Sequence, residues 1–150
     1  MASAASRGIA QNPAPVTTTV DLGGEWRFAI DPTNQGEADR WFGPDLDDRR
    51  WDRVDVPHCW PLDPRYQYTG RAWYRRTFPA SGSIEGRHAR IEFGAVFARA
   101  RVWLNGTELG AHEGGYTAFG FDVAHALVSD KPNVLVLEVD NSWSTKTIPP

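Results

Sequence analysis

His112-Glu113-Gly114-Gly115-Tyr116 begins as the zinc-protease pattern H-E-x-x-H begins, with an imidazole ligand followed by a carboxylate base. Tyr116 stands where the second imidazole is required, and Gly114-Gly115 opposes the helix that would bring both ligands to one face. The four histidines lie apart at 58, 88, 112 and 125, so no metal and no cofactor is expected. Gly114-Gly115 instead predicts a loop whose backbone passes close to something, packed down by Tyr116 and Phe119. Cleavage of a glycosidic bond would need two carboxyl groups roughly 5–9.5 Å apart. Asp63, Glu92, Glu113, Asp122 and Asp140 are the candidates, yet each also reads as a turn former, a strand residue facing solvent or a loop cap. Nothing in their spacing singles out a pair, so no catalytic residue is assigned. The phosphate-loop, dinucleotide and G-x-S-x-G patterns are absent. Cys59 is the one cysteine, which rules out an internal disulfide, and without a catalytic pattern around it the residue reads as small and buried.

Aromatic rings among hydrogen-bonding groups give a stronger signal. Trp60, Tyr66 and Tyr68 lie in an aperiodic stretch, 58–70, and Trp143 follows Asp140 and Asn141. Ring faces stack on the C–H patches of sugars while amides and carboxylates bind hydroxyls, so these six residues are the candidate carbohydrate contacts. The competing reading is that such rings cover sheet edges or pack on another domain. That reading is preferred for Trp103, and for Trp60 and Trp143 both stay open.

The elements that must hold these residues are strands. Asn105-Gly106 sits between two alternating runs and predicts a two-residue hairpin turn, because both positions of a type I′ turn need φ > 0. The same turn chemistry accounts for Asn105-Gly106-Thr107 better than a glycosylation acceptor does. Before the turn, Ala100, Val102 and Leu104 share one face, with Arg99, Arg101 and Trp103 on the other. After it, Thr107, Leu109 and Ala111 are expected to alternate with Glu108, Gly110 and His112. Trp26, Phe28 and Ile30 form one face of an early strand, and a short strand ends at Pro57. Tyr74, Arg76 and Phe78 oppose Trp73, Arg75 and Thr77 in a third, closed by 79–83. Val134 to Val139 is apolar on both faces and must be central or covered. Trp41, Phe42, Leu46 and Trp51 punctuate a long polar connection and read as anchors pinning it to the sheets. One helical turn is expected at 123–127. About eight strands with little helix predict an all-β fold, a two-sheet antiparallel jelly-roll β-sandwich.

A chain of 150 residues favours one domain, with 1–19 a flexible leader and 20–150 the sandwich. The 14 glycines and 11 prolines suit a turn-rich fold. Sixteen basic and 19 acidic residues, well mixed to a net charge of −3, lack the basic stripe of a nucleic-acid binder and the polybasic segment of a membrane binder. No apolar run approaches a membrane span, and the first residues carry no complete signal peptide, which leaves the compartment unassigned.

Taken in order, Leu22-Gly23-Gly24-Glu25-Trp26-Arg27-Phe28, Val56-Pro57-His58 with Trp60, Gly70 with Trp73-Tyr74-Arg75-Arg76, Val102-Trp103-Leu104-Asn105-Gly106, 110–119, Phe121-Asp122-Val123, Asp140-Asn141 and Ile148-Pro149-Pro150 resemble the N-terminal sugar-binding domain of glycoside hydrolase family 2. The Gly-Gly-Tyr-Thr segment and the closing Ile-Pro-Pro are most similar to the β-glucuronidase-like branch, with Ala118 where that branch usually has proline. The resemblance implies a galactose-binding-like jelly roll followed by an immunoglobulin-like domain and a (β/α)8 barrel. It places both catalytic glutamates in the barrel and the jelly roll's last strand beyond residue 150. It also implies that the 58–70 and 140–147 segments reach a substrate rim. The partners implied are carbohydrate and the downstream domains of the same enzyme. A stand-alone carbohydrate-binding module or lectin-like protein is the alternative, and a purely structural packing domain a third.

Overall fold

The computed structural model describes residues 17–79 and 87–143. The described part of the expected leader is residues 17–19. The rest of it, the 80–83 turn, 144–147 and Ile148-Pro149-Pro150 lie outside the described residues. Eight strands follow in order: β1 Gly24–Ile30, β2 Asp52–Val56, β3 Arg71–Phe78, β4 Arg90–Phe93, β5 Arg99–Leu104, β6 Thr107–Glu113, β7 Phe119–Asp122 and β8 Asn133–Asp140. They form a six-stranded antiparallel sheet in the order β2-β1-β3-β8-β5-β6, faced by the antiparallel pair β4-β7. The fold is an all-β sandwich of the jelly-roll type.

Alternation places the core. Trp26, Phe28, Tyr74, Val102, Leu104, Leu135, Leu137 and Val139 project from the large sheet onto Ile91, Phe93, Phe119 and Phe121 of the small one. Phe28 is fully buried and touches four rings: His58, Trp60, Tyr66 and Tyr74, with centroids 4.8–5.9 Å apart. Removing one such ring from water contributes roughly 1.5–3 kcal/mol before any packing gain.

The opposite face of the large sheet carries a second apolar cluster. Trp73, Trp103, Val134 and Val136 lie there beneath Trp41, Phe42 and Trp51 of the 31–51 connection. Trp103 is sandwiched between Phe42 and Trp73, with centroids 5.3 and 5.4 Å away. The anchoring role expected for the connection's aromatics therefore holds for Trp41, Phe42 and Trp51. β8 is both central and covered, as its two apolar faces require.

Two buried polar side chains fasten this connection. The Asp31 carboxylate accepts hydrogen bonds from the backbone N–H groups of Gln35 and Gly36 (2.9 Å each) and from Trp73 Nε1 (3.0 Å). The Arg75 guanidinium donates to Asp48 (3.0 Å) and to the carbonyls of Trp41 (2.6 Å) and Gly43 (3.0 Å).

The hairpin turn is formed as expected, with φ of 52° at Asn105 and 82° at Gly106. Asn105 does more than turn the chain. Its Nδ2 donates to Ala126 O and to Asn133 Oδ1, both at 2.8 Å, and its Oδ1 accepts from Val134 N. The expected helical turn appears at 123–127, where Leu127 N donates to Val123 O.

Three expectations are corrected. A β-bulge between Val102 and Trp103 pairs Val102 with Gly110 and Trp103 with Glu108, leaving Leu109 unpaired. Alternation after the turn therefore changes phase. Ala111 and Glu113 lie opposite Arg101 and Arg99 on the outer face, and His112 stacks on Phe119 inside. Gly115 does pass close to something, because a Cβ there would stand 2.2 Å from Phe97. With Phe97 in that space Tyr116 has no cavity to fill, and it is exposed rather than packed down. Cys59 is exposed too, since Trp60 takes the inward position as the chain enters the 3-10 turn Trp60–Leu62.

Candidate functional site

The sequence candidates divide into two groups. Trp60 and Tyr66 are 4% and 6% exposed and pack on Phe28, with Trp60 Nε1 donating to Tyr68 O and the Tyr66 hydroxyl to Asp52. Their ring faces are occupied by the core. Aromatic content placed them in a loop, but it could not tell which way they faced.

Tyr68, Asp140, Asn141 and Trp143 gather at one end of the sandwich, where β8 finishes and β3 starts. Asn141 Oδ1 accepts from Gly70 N (2.7 Å), and Asn141 N returns a bond to Gly70 O (3.1 Å). The half-buried Tyr68 donates its hydroxyl proton to Asp31 O and accepts from Arg71 N. Asp140 lies 3.4 Å from Arg99, and the exposed Trp143 projects beside them in sequence. Phe97 and Tyr116, 42% and 83% exposed, come from the 94–98 and 114–118 loops at this same end.

Next to this end, the outer face of the large sheet holds an open hollow of about 390 Å³ lined mostly by charged residues. Arg71, Arg99, Arg101, Glu113, Glu138 and Asp140 supply its charges. Arg101 forms one wall, bridging Glu37 (2.9 Å) and Glu108 (3.2 Å). These carboxylates hold the Arg101 guanidinium well above its ordinary range. Glu138 is 6% exposed, and burial pushes its carboxyl pKa up against the pull of Arg71 and Arg101. Glu138 is absent from the sequence candidates, yet an acid inside a strand apolar on both faces, two residues before Asp140 at its end, was the available signal.

At the edge of the 58–70 segment, His58 Nδ1 lies 2.9 Å from the Tyr74 hydroxyl and Nε2 lies 3.7 Å from Asp63. Arg65 grips Asp63 bidentately and holds its carboxyl far below the usual range. Burial lowers the His58 pKa, with Asp63 opposing. The folded value thus lies below the unfolded one, so the neutral ring's contribution is complete above pH ~6.5 and is lost as pH falls through the folded value. Urea midpoints from pH 7 to pH 5 should therefore decline less steeply for His58→Gln than for the parent. An unchanged slope would remove His58 from the acid response.

Among the described residues no three His, Cys, Asp or Glu side chains are arranged to hold a metal ion. No helix among them is long and apolar enough to cross a membrane.

A family model described as "Glycosyl hydrolases family 2, sugar binding domain" matches residues 19–148. The chain belongs to this family. The family 2 chain is 31% identical over 134 residues to beta-galactosidase BoGH2A of Bacteroides ovatus, covering 81% of this chain and 15% of that protein. It is 30% identical over 140 residues to a beta-glucuronidase of Paenibacillus borealis, covering 87% of this chain and 22% of the relative. The solved beta-glucuronidase of Lactobacillus rhamnosus superposes with a TM-score of 0.79 at 29% identity, over 91% of this chain and 24% of that one. The family 2 chain thus spans 15% and 22% of the two curated relatives' lengths.

Proposed function

We propose that this family 2 domain serves as the non-catalytic N-terminal carbohydrate-binding and scaffold domain of a longer glycoside hydrolase of the β-glucuronidase or β-galactosidase type. In that enzyme the hydrolytic carboxylates belong to another domain, and Tyr68, Asp140, Asn141 and Trp143 contribute to a substrate rim.

The observation that carries this reading is the mismatch between the two sheets. Six strands face two among the described residues. Between them a cleft of about 550 Å³ opens onto Trp26, Tyr74, Leu137 and Val139 of the core, bordered by Ile91–Phe97. An apolar slot of this kind beside a strand edge fits a further strand of the same polypeptide, with side chains in the slot and backbone along β4. The short share of its relatives' length that the chain spans, 15% and 22%, favours the multidomain reading over a stand-alone module.

The test compares two proteins. The longer gene product should hydrolyse aryl β-glycosides, whereas the 150-residue chain alone should not. Turnover by the pure chain that one Asp or Glu substitution abolishes would overturn the proposal.

A further inference from the structure

The outer face of the large sheet is only half covered. The 31–51 connection shields Trp73, Trp103, Val134 and Val136 and ends at the Glu37–Arg101 bridge. Beyond that bridge the same strands present Arg71, Arg99, Glu138, Asp140 and Glu113 around the open hollow. Small-molecule sites begin at roughly this size, near 300 Å³.

Glu138 is the decisive group. Its side chain is 8% exposed and lines the hollow. Its Oε2 is buried and finds no hydrogen-bond partner among the described residues. Arg71 Nε stands 3.9 Å from Oε1 and Arg101 Nη1 stands 4.0 Å from Oε2, too far for either to donate. Arg101 is committed to Glu37 and Glu108, and Arg71, 39% exposed, is the side chain with room to turn aside. A buried acceptor without a donor costs free energy that a ligand donor would recover.

We infer that this half-face binds a neutral polyhydroxylated ligand, one sugar ring in size, whose hydroxyls donate to Glu138 and Asp140 and accept from Arg71 and Arg99. Apart from Arg101, whose charge Glu37 and Glu108 already balance, two guanidinium groups and three carboxylates line the hollow, which disfavours an anionic ligand and leaves hydrogen bonding to carry recognition. Close donors and acceptors side by side suit hydroxyl groups, which both give and take hydrogen bonds. The site needs neither a second domain nor the 58–70 segment.

The test is titration of the intact protein as its gene encodes it, followed by amide NMR of residues 99–101, 111–113 and 138–140, with methyl β-glucoside, methyl β-galactoside, a methyl glucuronide and glucosamine. Saturable shifts at 99–101, 111–113 and 138–140 with the neutral glycosides are expected. Glu138→Gln should weaken binding about tenfold or more, the range for losing a hydrogen bond to a charged group. If Glu138→Gln does not fold, the exposed Arg99→Gln carries the same test and should also weaken binding. No saturable shift, or shifts confined to other surfaces, would overturn the inference. Preference for the glucuronide or glucosamine by more than about tenfold would overturn the neutral ligand class.

Discussion

Asp31→Ala is expected to lower the free energy of unfolding by about 3–5 kcal/mol, because it strands three buried or part-buried donors at once. Two of them are backbone N–H groups that open the 31–51 connection, and the third is the Nε1 proton of Trp73, a fully buried ring. Water cannot follow into that space while Trp41 and Trp51 lie over it. Asp31→Asn retains one acceptor oxygen and should lose less. Urea denaturation monitored by tryptophan emission reads both variants. A loss below about 1 kcal/mol for the alanine would mean that the donors find other partners.

Arg75→Met should cost a similar amount, about 3–5 kcal/mol, the range for removing one member of a buried ion pair. The guanidinium is 2% exposed and ties Asp48 and two carbonyls to β3 while lying over the Trp51 ring. Burial pulls its pKa down and Asp48 resists, so the charge is kept by its partners. Arg75→Lys should rescue poorly, since one ammonium cannot reproduce a planar fork aimed at three acceptors. Arg75→Met combined with Asp48→Leu should be less damaging than the two single losses added together. Strict additivity would show that the pair is not coupled.

The sheets were legible because burial imposes a period of two on the chain. Trp26 and Phe28, Val102 and Leu104, and Leu135, Leu137 and Val139 each had to share a face, and each trio or pair does. The turn at Asn105-Gly106 was legible because few residues tolerate its backbone angles. The site was legible only where one residue type constrains its own neighbours. Asn141 clasps Gly70 across the end of the sandwich, and Asp140 faces Arg99, but neither pairing is local in sequence. The orientation of Trp60, Tyr66 and Tyr116 depends on which other rings fill the neighbouring space, Phe28 for the first two and Phe97 for the third. Glu138 was hidden for the same reason: its guanidinium neighbours come from two other strands, β3 and β5.

Leu109 carries a consequence for how this surface is inherited. It adds one residue to a strand whose partner has none to match it. Losing that residue would remove the bulge and leave Gly110 to Glu113 on their present partners and faces, because Gly110 would then follow Glu108 directly in the ladder. Point substitution can adjust the charged half-face gradually. Loss of the Leu109 codon would straighten the strand and leave the Glu113 wall standing.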